Sequence, residues 1–185
     1  MIKEIRVHAR AGQGAITTAM LLATAAFEDG KYALAFPHFG AQRMGAPMNA
    51  FVRISDAPIR VRSQITHPNY VLVQDPTLLK GFDVAAGLKP GGIIVINGSD
   101  NPTRLTLKTQ GKVVMVPASR IALETVGRAD RANTALIGAF AAASGELSLE
   151  ALQKAVLARF SGAAAEKNIE ALKRAYEYVI SAVKN

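Results

Sequence analysis

The run Val7-His8-Ala9-Arg10-Ala11-Gly12-Gln13-Gly14-Ala15-Ile16-Thr17-Thr18 joins a short apolar strand, Ile2 to Val7, to an Ala/Leu-rich helix through two glycines. That arrangement suits an anion. The first N–H groups of a helix have no intrahelical partner, the helix dipole favours negative charge there, and glycine lets a phosphate approach the backbone. The candidate ligand is therefore phosphorylated, with Arg10, Gly12, Gln13 and Gly14 as its contacts. On spacing alone a second reading stays open, in which Gly12 and Gly14 only make a tight turn between strand and helix.

Two familiar phosphate motifs fail here. A Walker A loop ends in lysine and a hydroxyl residue, but Gly14 is followed by Ala15-Ile16-Thr17, and the next lysine is Lys31. A dinucleotide fingerprint needs a third glycine where Thr17 stands, and a carboxylate after the second strand, Tyr32-Ala33-Leu34-Ala35-Phe36, which has none. ATP hydrolysis and NAD are both disfavoured. What remains is a phosphate or pyrophosphate held by backbone amides and arginines, as coenzyme A would present.

The segment Phe36-Pro37-His38-Phe39-Gly40-Ala41-Gln42-Arg43-Met44-Gly45-Ala46-Pro47 follows neither the strand nor the helix period, and it is expected to be a long ordered loop serving a ligand or a partner. Arg43, near Gly45, is placed to pair with a phosphate or carboxylate. Phe36 and Phe39 cover an adenine, pack on another subunit, or staple the loop to the core. No catalytic constellation stands out: His8, His38 and His67 are scattered without an orienting carboxylate, and Asp75 alone stands at a strand end.

The elements that position these residues follow from hydrophobic period, which switches repeatedly between strand and helix values and marks the class as α/β. Strands are expected at Ile2–Val7, Tyr32–Phe36, Met48–Ile54, Ile59–Ser63, Tyr70–Gln74, Gly92–Asn97 and Lys112–Val116. Ser55-Asp56-Ala57-Pro58 has hairpin chemistry, which predicts a mixed, partly antiparallel sheet. Helices are expected at Gln13–Phe27, Ser119–Val126, Asn133–Ala143, Ser148–Phe160 and Ala164–Val183, the last as a cover on the sheet.

A chain of 185 residues, 50% hydrophobic, is read as one domain, residues 1–185. Charges near the N-terminus argue against a signal peptide, and no apolar run approaches the ~18 residues of a membrane span, so a cytoplasmic location without membrane contact is expected. With no cysteine the chain holds neither a disulfide nor a thiolate-ligated cluster. The net charge of +8 invites nucleic acid. Yet Arg43, Arg53, Arg60 and Arg62 lack the interleaved aromatics of a single-strand binder and the helical spacing of a groove reader, so an acidic partner subunit or a polyphosphate ligand is the better match.

The run from His8 through Gly14, Ala35-Phe36-Pro37-His38-Phe39-Gly40 with Arg43 and Gly45-Ala46-Pro47, Ala50-Phe51-Val52-Arg53-Ile54, Ile59-Arg60, Gln74-Asp75-Pro76-Thr77-Leu78-Leu79 and Asn133-Thr134-Ala135-Leu136-Ile137-Gly138-Ala139 together resemble the gamma subunit of the 2-oxoacid:ferredoxin oxidoreductases, pyruvate:ferredoxin oxidoreductase type. The resemblance spans nearly the whole chain. It departs from the usual pattern at Ala9 and Ala11, where glycines are common, and at Met44, where a second arginine is common. It implies a complex with alpha, beta and delta type subunits. Those subunits would carry thiamine diphosphate, magnesium and 4Fe-4S clusters, decarboxylate a 2-oxoacid and reduce ferredoxin. This chain would bind coenzyme A and hold no cofactor or catalytic residue of its own. A stand-alone coenzyme A- or nucleotide-binding enzyme and a pure scaffold subunit are the alternatives.

Overall fold

A computed structural model describes residues 1–38, 43–98 and 107–184. Six strands, β1 (Lys3–Arg10), β2 (Tyr32–His38), β3 (Pro47–Ser55), β4 (Tyr70–Val73), β5 (Ile93–Asn97) and β6 (Lys112–Val116), form one sheet in the order β2-β3-β1-β4-β5-β6. β1, β4, β5 and β6 are mutually parallel, whereas β3 runs antiparallel to both β1 and β2. The helices are α1 (Ala15–Glu28), α2 (Ala118–Thr125), α3 (Asn133–Ser144), α4 (Leu149–Arg159) and α5 (Gly162–Lys184).

Strand alternation decides which face each residue takes. Ile5, Val7 and Ala9 of β1, Ala50, Val52 and Ile54 of β3, Leu72 of β4 and Val95 of β5 share one core with residues of all five helices. The opposite face carries Val71, Val73, Ile94 and Ile96, covered by Leu79, Val84, Ala85 and Leu88 of the irregular stretch after β4. β4 is therefore buried on both sides, which explains its unbroken apolar sequence. α3 is buried from Asn133 through Ala141, and Gly138 has no room for a Cβ against the backbone of Leu172 in α5.

Two arginines hold the helix-free face. Arg6, 8% exposed, donates from Nη2 to the carbonyls of Val84 and Ala86 and from Nη1 to that of Ile65. Arg53, 3% exposed, pairs with Glu4 at 3.0 Å and donates from Nη1 to the carbonyls of Val61 and Ser63. Of the four arginines that sequence grouped together, Arg53 is thus interior, and Arg43, Arg60 and Arg62 are exposed.

The sheet is mixed, as expected, but its hairpin lies elsewhere. Ile59–Ser63 is not a strand, because β3 already has β2 on one edge and β1 on the other, leaving no edge to pair with. The antiparallel partner of β3 is instead β2, which extends to His38 with Phe36 opposite Phe51 and His38 opposite Asn49. The expected loop is therefore shorter, and Pro37 sits on the outermost strand, where a missing N–H is tolerated. Phe39 lies outside the described residues. α1 starts at Ala15 rather than Gln13, and Ser148 is the cap of α4, its hydroxyl accepting from Ala151 N.

Candidate anion-binding site

From β1 the chain crosses by α1 to the β2 side of the sheet, and from β4 it proceeds to β5 and β6 on the other side. The carboxyl ends of β1 and β4 therefore flank a topological switch point, where open α/β sheets leave a crevice for ligands. Arg10 to Gly14 follow the end of one strand and Gln74 to Thr77 the end of the other. These are the residues that sequence brought forward, with Asp75 among them.

The two strand ends are knitted together by side chains. Arg10 N donates to Gln13 Oε1, and Gln13 Nε2 donates to Asp75 Oδ2 over 2.7 Å. Gln74 Nε2 donates to the Gln13 carbonyl, while Thr18 Oγ1 reaches Gln74 Oε1 from the first turn of α1. Asn97 at the end of β5 donates to the Gln74 carbonyl and Ser119 Oγ, and its Oδ1 accepts from Ser119 N at the start of α2.

Asp75 is tied on every side. Burial alone would push its carboxyl up, but hydrogen bonds from Thr77 and Gln13 and the charge of Arg10 more than reverse this and hold it below the usual carboxylate range. Thr77 N and Oγ1 donate to Oδ1, and Arg10 Nε lies 3.3 Å from Oδ2. A carboxylate so occupied stays ionised and has little basicity to offer.

Arg10 uses part of its donor set on this scaffold. Nε and Nη2 donate to Thr77 Oγ1 and Nη1 donates to the Gly45 carbonyl. Of the five N–H bonds of a guanidinium these employ one on each nitrogen, so one on Nη1 and one on Nη2 remain for a ligand. The side chain is one third exposed at the rim. Gly45 N donates to the Ala11 carbonyl, so the turn that follows Arg43 is bound to the β1 extension. Arg43 itself is exposed.

Both glycines are required by the backbone. Gly12 has φ +97 and a Cβ there would lie 2.6 Å from Met44 Sδ; Gly14 has φ +80 and is the N-terminal cap residue preceding α1. α1 and α3 carry no side-chain cap at their N-termini, and α1, α2 and α3 have no acidic residue in their first turns. Beside these ends lies a cavity of about 170 Å³ lined by Gln13, Gln74, Asp75, Thr77, Asn97, Ser119, Asp130 and Ala132. The helix ends together supply positive potential from dipoles of about +0.5 charge each. Asp130 is neutralised by a two-pronged pair with Arg128.

One neighbour went unassigned in sequence. Asn133, the first residue of α3, is 6% exposed and its amide lies against Gly14; a Cβ on Gly14 would be 3.4 Å from Nδ2 and 3.9 Å from Oδ1. Asn133 stood inside a motif of the resemblance, but nothing local tied it to Gly14.

Two of the histidines, His8 and His38, line a second cavity with Pro47, Met48 and Asn49. His8 Nε2 accepts from Arg6 Nε at 3.0 Å, and burial together with the Arg6 charge pushes its imidazole down to about 3. His38 meets Gln64, and His67 meets Thr66. Phe36 packs on Phe51 with ring centroids 5.3 Å apart and lies under the Arg53 guanidinium. No cluster of three His, Cys, Asp or Glu side chains suited to a metal occurs among the described residues, and no helix among them is long and apolar enough to cross a membrane.

Fold and crevice together define an α/β domain with a mixed six-stranded sheet and a crevice at the carboxyl ends of its parallel strands. The chain belongs to the pyruvate ferredoxin/flavodoxin oxidoreductase family, whose model matches residues 4–178, and within it to the gamma-type subunits of a multisubunit oxidoreductase. It is 51% identical over 155 residues to pyruvate synthase subunit PorC of Methanosarcina barkeri, covering 84% of this chain and 85% of that protein. It is 49% identical over 156 residues to the pyruvate/ketoisovalerate oxidoreductases common subunit gamma of Thermococcus kodakarensis, covering 83% and 84%. The crystal structure of pyruvate oxidoreductase subunit PORC from Thermotoga maritima superposes with a TM-score of 0.83 at 38% identity, over 95% of this chain and 96% of that one. The same fold makes up 31% of a chain of the 2-oxoglutarate:ferredoxin oxidoreductase from Magnetococcus marinus, with TM-score 0.81 at 18% identity over 97% of this chain.

Proposed function

We propose that this chain is the coenzyme A-binding subunit of a cytoplasmic oxidoreductase that converts a 2-oxoacid, coenzyme A and an oxidised acceptor into acyl-CoA, carbon dioxide and the reduced acceptor. The observation that carries the reading is that Gln13 of the Gly12–Gly14 turn and Ala132 at the uncapped head of α3 line one crevice at the sheet's switch point, with Arg10 bonded to Thr77 of its wall and keeping spare donors. Arg10, Gly12, Gln13 and Gly14 hold phosphate there, with Arg43 contributing from the exposed turn.

Thiamine diphosphate, magnesium and 4Fe-4S clusters belong to alpha, beta and delta type companion subunits, which pass electrons to ferredoxin. This chain's residues do not fit those groups: it contains no cysteine, and its described residues offer no carboxylate and imidazole cluster for a metal. Asp75, the one carboxylate at a strand end that a stand-alone enzyme would use as a base, is held ionised and fully hydrogen-bonded, which favours a binding role over a catalytic one. The test is hydrogen–deuterium exchange of the assembled oxidoreductase with and without coenzyme A. Protection of amides 12–18 is expected. Protection confined to other subunits rejects the reading.

A further inference from the structure

β2 is the outermost strand of the sheet, and its free edge is unguarded. Tyr32 to Phe36 include no charged residue and no proline, the usual devices that keep an open edge from pairing, and Pro37 interrupts only the far end. Among the described residues the β2 backbone makes no hydrogen bond beyond its ladder with β3.

The two faces of the sheet beside this edge differ in character. On one, α1 packs over β2 and leaves Ile16, Met20 and Phe27 39%, 53% and 74% exposed, with no charged residue from Ala15 to Phe27. A helix that met only water on that side would carry charge there. On the other face, residues 59–64 lie over β3, where Arg53 holds the carbonyls of Val61 and Ser63, and they reach β2 where Gln64 meets His38 at 3.0 Å. Arg60 and Arg62 are exposed on this segment, and neither guanidinium has a partner among the described residues.

We propose that β2 is a docking edge, onto which a companion subunit adds an extended segment whose apolar residues alternate with aspartate or glutamate. This rests on membership of a multisubunit oxidoreductase and is independent of the coenzyme A reading.

The alternation follows from strand geometry. Successive side chains of an added strand point to opposite faces of the sheet, one set towards the apolar side of α1 and the other towards Arg60 and Arg62. Main-chain groups of residues 32–36 supply the affinity, and the two arginines steer the encounter. A second copy of this chain would bring its own net charge of +8, and the same arginines, to the same seam. An acidic partner is the complementary one.

Amide exchange of the full chain, alone and within the assembled oxidoreductase, with coenzyme A absent from both samples, tests the edge without any variant. Exchange across residues 33–36 is expected to slow by about tenfold or more on assembly, because edge amides gain strand hydrogen bonds. The charge is tested by a chain carrying both Arg60→Glu and Arg62→Glu, at exposed positions. Its dissociation constant for the companion subunits should rise about tenfold at low salt and little at high salt. Unchanged exchange at 33–36 on assembly overturns the proposal, and so does a double variant that binds as tightly as the parent at low salt. Exchange already slow in the chain alone, with a two-chain mass by light scattering, assigns the edge to a second copy and also overturns it. The coenzyme A reading is decided separately, by amides 12–18.

Discussion

Gln13 Nε2 donates to Asp75 Oδ2 over 2.7 Å, and this bond fastens the loop that starts α1 to the end of β4. The ends of the two paired strands are therefore tied together by a side-chain brace on the wall of the crevice. Asp75 also accepts from Thr77 and faces Arg10, so three residues from two strand ends converge on its carboxylate.

Asp75→Asn should loosen that brace, because its Nδ2 would face the Gln13 and Arg10 donors. With its carboxyl held below 3.8 in the folded chain, Asp75 contributes stability that is fully present above that unfolded value and is lost as pH falls through the lower folded value. The variant should therefore melt at a lower temperature than the parent at pH 7. The gap should close only below about pH 4. Melting curves across pH 2–8 check this.

His8 should set a broader acid limb. Its imidazole is held at about 3 by burial and the Arg6 charge, against 6.5 unfolded. The folded state then binds fewer protons than the unfolded state between those values, so stability falls as pH drops from about 6.5 towards 3. His8→Gln should flatten that limb. An NMR titration in which His8 remains neutral down to pH 4 is the direct check.

Arg6 ties irregular cover to the sheet through the carbonyls of Ile65, Val84 and Ala86. Arg6→Leu orphans these acceptors at roughly 1–3 kcal/mol for each that stays buried, for an expected loss of about 3 kcal/mol. Faster amide exchange should be confined to residues 65–68 and 84–88, with α3 and α5 unaffected. Chemical denaturation and exchange mapping measure both parts.

Much of this was legible in sequence, and the failures share one cause. β1, β4, β5 and β6 announce themselves by local period, and Gly12 and Gly14 by their place between strand and helix. Ile59–Ser63 looks like a strand locally, but the two edges it would need are occupied by β1 and β2, whose residues lie far off in the chain. Phe36 to His38 looks like loop because of Pro37, which only an outer position in the sheet accommodates. The Arg10, Gln13, Asp75 and Thr77 network was visible as residue types at two strand ends. Their mutual bonding depends on the pairing of β1 with β4, and the meeting of Gly14 with Asn133 on how α3 packs against the sheet, neither of which local spacing encodes.

The central claim, that this crevice holds coenzyme A, is tested most directly by steady-state kinetics of the assembled oxidoreductase carrying Arg10→Ala, with coenzyme A and the 2-oxoacid varied separately. Loss of one charge-assisted hydrogen bond of roughly 1.5–3 kcal/mol should raise the KM for coenzyme A by about tenfold to a hundredfold, with Arg10→Lys intermediate and the KM for the 2-oxoacid unchanged. An unaltered coenzyme A dependence, or an equal rise in both KM values, would contradict the account.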